Sequence, residues 1–519
     1  MSPLAPESVA PTRTDPVAAA ASELIGGPLG RYAAPARHTA RSLWQPAAAV
    51  LIGLTSLTVA FGVLQKAHCV SKGWHSPDQF WHACYSDLPL VYQASGLGHS
   101  MPYLPGAQHL DQPLVTGLVM WLVGLLVPDG SAMVQQQWYF ALWAVLIAVI
   151  AMVLVAVTVA SVPRTPWRAA HIALSPVLVL AGLVSVDLLG VLLASLALWA
   201  WGRGKVVWAG VILGLAISAR SYPLVLLVAI GLLAVRCGKV PAWRRLAATA
   251  LGTWFAVSLP WLVMNADGLL SVYRSWWGAG ASYGSVWVVP SLLGHALSGN
   301  VVTWLPVVGW LVALVVGALF ALSLDRRPTV AEISLVMLVI VIVTGKAVPV
   351  QAGLWLLPLI ALVGMQWRDH LIWAGIEATY FVAVWLYIAG LSKPERGLPV
   401  RGYSTLLVLR LVAMLFLVVQ VWRVARSRPP AATVESVETS NSAGDKSLGD
   451  KSLDDERVGD GEWVDISESP GDDFAGDGAG RDAEPVEADL VEEVEPVEEV
   501  DPLAGPMAGA PDAVLVRFG

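Results

Sequence analysis

Charge is scarce in this chain. Of its 519 residues only 14% are Asp, Glu, Lys or Arg, against roughly 25% in a soluble domain. Hydrophobic residues make up 56% and the mean hydropathy is +0.64, so a polytopic membrane protein is the class that fits. Cysteine is scarcer still: three residues exclude a disulfide scaffold and any Cys-rich metal site. No Walker or Rossmann glycine pattern is present, which removes the nucleotide-loop enzymes, and no nucleic-acid partner is expected. The first 42 residues, rich in Ala and Pro, lack the short apolar core and cleavage site of a signal peptide. They read as a mostly disordered arm.

The charge that exists is unevenly placed. Of 32 basic and 39 acidic residues, 7 and 25 lie from Ala425 onward, a net of −18; the body keeps 25 and 14, a net of +11. A basic body at a membrane surface and an acidic tail in water are different physical objects. Residues 425–519 are rich in Pro, Gly, Asp and Glu and poor in aromatics. They are expected to be disordered and non-catalytic, with recruitment of a protein partner as their use.

Between arm and tail the apolar runs predict an all-α, polytopic transmembrane bundle of about twelve spans. They fall near 43–65, 137–161, 168–184, 187–202, 206–219, 222–236, 247–265, 301–322, 329–345, 350–367, 371–391 and 403–424. Arginines at 13, 31, 37 and 41 keep the first residues inside and put the Cys69–Tyr92 loop outside. Pro113–Val127 offers about 15 apolar residues where a span needs about 20. Read as not crossing, it leaves the basic loops at Arg164–Arg168, Arg203–Lys205, Arg236–Arg245 and Arg326–Arg327 inside, with both termini, in a plasma membrane protein bounded by membrane lipids. The domains are then an arm (1–42), a membrane body (43–424) whose outer loop region (66–136) carries the site, and the tail.

The Cys69–Tyr92 loop is polar and aromatic in a chain that is otherwise mostly membrane. Cys69 and Cys84 lie together on it, in a compartment that can be oxidising, and are predicted to pair; Cys237, in a basic inner loop, is predicted to be free. Four ionisable residues fall at one membrane level: Asp87 on the loop, and Asp187, Arg220 and Lys346 at turns between apolar segments. A charge at membrane depth costs several kcal/mol and marks a cavity or a partner. Two cations suit a lipid-linked phosphate, and a carboxylate on a capping loop suits a general base. Glu332, near the inner end of its helix, and Glu377, nearer mid-span, are weaker candidates. Residues 267–290 form a second outer loop with Tyr273, Arg274, Trp276, Trp277 and Tyr283. It is either an interfacial aromatic belt or a wall of the acceptor site. His75, His82 and His99 are either solvated or substrate contacts.

An ordered series of motifs carries a family resemblance over residues 44–424. It comprises Cys84-Tyr-Ser-Asp87-Leu-Pro, Pro102-Tyr103, Gln112-Pro113-Leu-Val-Thr-Gly117, Val186-Asp187-Leu-Leu, Arg220-Ser-Tyr222-Pro223, Lys346 to Pro358, and Glu377-Ala-Thr-Tyr380. On these the chain resembles the GT-C superfamily of polytopic glycosyltransferases, and within it actinobacterial family 87, which includes polyprenyl-phosphate-mannose-dependent mannosyltransferases. The resemblance implies that Asp87 is the first-loop catalytic acid and Asp187 a second acid near the site. Tyr85, Tyr92, Tyr103, Tyr222, Gln351 and His82 join Arg220 and Lys346 as substrate-binding candidates. It implies a polyprenyl-phosphate sugar donor, a lipid or glycan acceptor of the cell envelope and an inverting transfer. No cofactor is required, although Asp87 and Asp187 could share a divalent metal. Two rival readings remain: a transporter or flippase of lipid-linked sugars, which uses the same cavity and cations without the base, and an inactive scaffold for envelope assembly that recruits partners through the acidic tail.

Overall fold

A bilayer leaves no water for backbone N–H and C=O groups, so a spanning chain must satisfy them internally. The chain answers with helices: it is 74% helical, and no strand occurs among the described residues. The structure, a computed structural model, describes residues 11, 15–26, 46–427 and 501–516. Most of the arm and of the acidic tail lie outside the described residues.

In chain order the helices are α1 (Pro16–Gly26), α2 (Pro46–Gln65), α3 (Ala67–Lys72), α4 (Asp78–Trp81), α5 (Asp87–Ala94), α6 (Leu114–Gly124), α7 (Ala132–Ser161), α8 (Pro176–Ala181), α9 (Asp187–Gly202) and α10 (Val206–Ala219). There follow α11 (Leu224–Arg236), α12 (Val240–Gly278), α13 (Gly299–Ser323), α14 (Val330–Thr344), α15 (Leu357–Val363), α16 (Trp367–Ser392) and α17 (Val400–Ser427). By length and composition α2, α7, α12, α13, α16 and α17 can each cross a membrane. The apolar helices α9, α10, α11 and α14 are shorter, with 13–16 residues. Their turns at 182–186, 219–223 and 344–349 gather at one end of the bundle with residues 66–112, here called the loop end. The basic turns gather at the other.

α6 belongs to the loop end over its whole length. Its 11 residues span only about 16 Å at 1.5 Å per residue, half of a hydrocarbon core of about 30 Å. The Thr116 hydroxyl donates to the Ala219 carbonyl at 2.8 Å, and the Tyr139 hydroxyl to Met120 at 3.2 Å.

Besides the predicted spans 168–184 and 350–367, each broken into short helical pieces, three segments depart from the sequence reading. Residues 267–278 are not loop but the continuation of α12 past a kink at Asn265, whose φ/ψ is non-helical. The Asn265 side chain causes and repairs the break: its amide donates to the Tyr103 carbonyl (3.1 Å), and its oxygen accepts from Gly268 N–H (3.2 Å), restarting the helix. Part of the arm, Pro16–Gly26, is helical. Asp15 caps it through Val17 N–H (2.8 Å), and its other oxygen accepts from Trp367 N–H (2.7 Å).

The third departure is the end of the tail. Residues 501–516 pack against the basic end of the body, with Leu503 and Met507 buried. Gly505, at φ +54°, lies against the Trp201 carbonyl, where a Cβ would collide. Asp512 accepts from Arg236 Nη2 (2.6 Å) and Arg327 Nε (2.8 Å), and Arg236 is fully buried. Burial pushes the Asp512 carboxyl up, but the two guanidinium hydrogen bonds outweigh it and hold the group below its ordinary value. Hydrogen bonds to charged partners contribute about 1.5–3 kcal/mol. Asp512→Ala is therefore expected to lower the thermal midpoint of the purified protein by several degrees without altering expression. An unchanged melt would show that this docking adds no stability.

Candidate active site

The loop end begins where α2 stops. Lys66 follows its last residue, is fully buried, and donates from Nζ to the Tyr85 carbonyl at 2.9 Å. Burial pulls its pKa down to about 7 against the attraction of Asp87. The next turn of chain is tied back by the Cys69–Cys84 disulfide, with a Cα–Cα distance of 5.8 Å. Closing such a loop is worth about 3 kcal/mol against the unfolded chain. Cys237 is free and buried.

The disulfide delivers the chain to Asp87. Ser86 caps α5, and its hydroxyl donates to the Leu183 carbonyl at 2.8 Å. Asp87 N–H donates to the Val184 carbonyl at 2.8 Å. The backbone of Asp87 is thus fastened to the turn that leads into Asp187, three residues on. The Tyr85 hydroxyl donates to Asp87 Oδ1 at 2.7 Å. Burial raises the Asp87 pKa above the usual carboxylate range, and the Asp187 charge raises it further; Tyr85, Arg220 and Lys66 oppose but do not cancel this. A buried carboxylate with a raised pKa and nearby cations has the properties of a general base.

Asp187, the first residue of α9, is already committed. One oxygen accepts from Arg220 Nε, the other from the Ser185 hydroxyl at 2.8 Å. Arg220 Nη1 donates to Gln112 Oε1 at 2.8 Å, and Nη2 donates to no described residue. Gln112 is positioned in turn by the Tyr103 hydroxyl, which donates to its carbonyl at 2.7 Å. Next to this turn lies a small cleft lined by Tyr222, Trp355, Leu226, Leu338 and Pro358 among other, mostly apolar residues. Tyr222 stands edge-on to Trp355, with centroids 5.2 Å apart.

The remaining candidates have partners of their own. The Lys346 amine donates to the Trp277 carbonyl at 2.8 Å rather than to a carboxylate. Burial lowers its pKa. Its turn is braced from both sides: Ser282 N–H donates to the Lys346 carbonyl (2.8 Å), and Arg410 donates to Val348 (3.1 Å) and Pro349 (3.0 Å). Arg410 also pairs with Glu377 at 3.0 Å, both buried, so Glu377 braces this turn. Glu332 caps α14 and takes Arg326 at the basic end. Tyr92 is buried against Tyr139, and Gln351 is buried. His82 faces Asp78, with Nδ1 3.4 Å from a carboxylate oxygen.

Sequence reasoning missed Lys66 and Gln112. Lys66 carried a usable signal: a lysine at the outer end of a first span runs against the inward bias of positive charge. Gln112 carried only its place beside Pro113.

Fold and site together define a polytopic helical membrane protein with a buried carboxylate and an arginine–carboxylate pair at one end. Residues 113–345 match the model of glycosyltransferase family 87. No curated protein and no solved structure gives a match. The match supports a membrane glycosyltransferase, an enzyme that takes a sugar donor and an acceptor. The matched stretch contains Asp187 and Arg220, ends one residue before Lys346, and leaves out Lys66 and Asp87.

Proposed function

We propose that the protein transfers a hexose, mannose by the family resemblance, from a polyprenyl-phosphate sugar to a hydroxyl of a lipid or glycan acceptor, with inversion. The loop end faces outward across the plasma membrane, and both termini face the cytoplasm. The observation that carries this reading is the placement of Asp87: a buried carboxylate fastened to the turn of Asp187, beside Arg220 and an apolar pocket. Asp87 takes the acceptor hydroxyl proton as its oxygen forms a bond to the anomeric carbon. The bond from that carbon to the phosphate oxygen breaks, and the electron pair leaves with the polyprenyl phosphate. Arg220 stabilises the charge gained there, with Lys346 as a second cation. The Tyr85 hydroxyl, Arg220 and Lys66 favour the ionised form of Asp87 against its burial, and Asp187 orients Arg220.

The test is an assay of purified protein in lipid nanodiscs and proteoliposomes with a radiolabelled polyprenyl-phosphate mannose and a soluble mannoside acceptor. A new glycoside is expected. Movement of donor across the bilayer without product would favour a transporter, and neither would favour a scaffold. For orientation, cysteines placed at Gln108 and at Asp129, on either side of α6, are expected to label from the same side of the membrane, and one at Arg245 from the opposite side. Labelling of Gln108 and Asp129 from opposite sides would mean that α6 crosses.

A further inference from the structure

The loop that carries Asp87 holds a second constellation, which the transfer reaction does not use. His68 on α3, Asp78 at the start of α4 and His82 just after α4 converge, and their ligand atoms all lie within 4.8 Å of one another. His68 Nε2 is 2.6 Å from one Asp78 oxygen, and His82 Nδ1 is 3.4 Å from the other. The imidazole rings stack at 3.5 Å with an interplanar angle of 9°. All three side chains keep access to solvent, with 32%, 43% and 46% of their surfaces exposed.

We propose that His68, Asp78 and His82 form a binding site for a divalent transition-metal ion, of which Zn²⁺ is the natural probe. Two imidazoles and one carboxylate are the donor set of many three-ligand zinc and iron sites, with the remaining positions left to water. The ion takes the place of the hydrogen bond between His68 and Asp78. Hard cations such as Mg²⁺ prefer an all-oxygen shell and are not favoured here. The consequence is mechanical. The ion joins α3 to α4, the two segments that Cys69–Cys84 joins covalently, and so holds the loop five residues before Asp87. The site stands independently of the proposed sugar transfer.

The test uses tag-free, full-length protein in detergent, titrated with Zn²⁺ and separately with Co²⁺. Wild type is expected to bind one Zn²⁺ per chain, to melt higher with Zn²⁺ than with Mg²⁺, and to give Co²⁺ a visible ligand-field band. Loss of a ligand is expected to exceed the about 10–100-fold cost of losing an outer-shell partner. His68→Gln, His82→Gln and the conservative Asp78→Asn should each weaken Zn²⁺ by more than that and abolish the band. Equal Zn²⁺ affinity in wild type and in the His68→Gln/His82→Gln protein would overturn the proposal, as would a Co²⁺ spectrum that these changes leave unaltered. If either histidine variant fails to fold, Asp78→Asn, which keeps size and a hydrogen bond, decides the question by the same readings.

Discussion

Replacing Asp87 with Asn is expected to reduce turnover by about 10²–10⁴-fold, the usual worth of a general base, while donor binding stays near normal. The amide keeps the size of the side chain and can still accept from the Tyr85 hydroxyl, and the backbone bond to Val184 is untouched. What disappears is the basicity. The pH profile separates this from a structural role. A base works deprotonated, and burial with the Asp187 charge raises the Asp87 pKa. Activity is therefore lost as pH falls through a midpoint above the ordinary carboxylate value. Tyr85→Phe removes a hydrogen bond that lowers this pKa, so its acid limb should move to higher pH. Were Asp87 merely a helix-start residue, the change would cost about 1 kcal/mol of stability and little else. A purified Asp87→Asn protein that melts normally and transfers sugar at near wild-type rate would remove the base from the mechanism.

The parts of this site that were legible in the sequence are those whose chemistry clashes with their surroundings. Asp187 and Arg220 interrupt apolar runs, and a charge there needs a reason whatever the fold. Pairing the two was not legible: it depends on α9 and α10 packing side by side, which brings together residues 33 positions apart. Lys66 illustrates the opposite failure. At the end of an apolar run it reads as a snorkelling side chain; its burial comes from the disulfide-closed loop, whose Tyr85 carbonyl it meets, and from Phe381 of α16. Glu377 stood out as a mid-span acid, but its partner Arg410 lies on another helix, and the turn they brace lies on neither. Composition also hid the ordered end of the tail. Leu503 and Met507 are too sparse among acidic residues to register as a core, and docking depends on Arg236 and Arg327 of the body.

Removing the Arg220 charge is expected to weaken donor binding and to slow the chemical step, but the single substitution is a poor instrument. Asp187 has 7% of its side chain exposed, and a buried carboxylate stripped of its partner costs about 3–5 kcal/mol. Arg220→Gln alone should therefore melt early and report on folding. Pairing it with Asp187→Asn removes both charges and leaves neutral groups that can hydrogen-bond each other, so the double variant is expected to melt close to wild type. Its donor affinity should still fall by about 10–100-fold, since a charge-assisted contact of about 1.5–3 kcal/mol is gone and each 1.4 kcal/mol is about tenfold. The loss in kcat/KM should be larger than the loss in affinity. The proposed polyprenyl-phosphate donor is a diester with one negative charge; as the sugar departs it becomes a monoester with more, so a guanidinium placed on it would bind the transition state more tightly than the ground state. Lys346→Ala should show a smaller change, because its amine already donates to the Trp277 carbonyl. An Arg220→Gln/Asp187→Asn protein that melts normally and binds donor with wild-type affinity would place the phosphate elsewhere and leave the Arg220–Asp187 pair as a structural clasp between α9 and the α10–α11 turn.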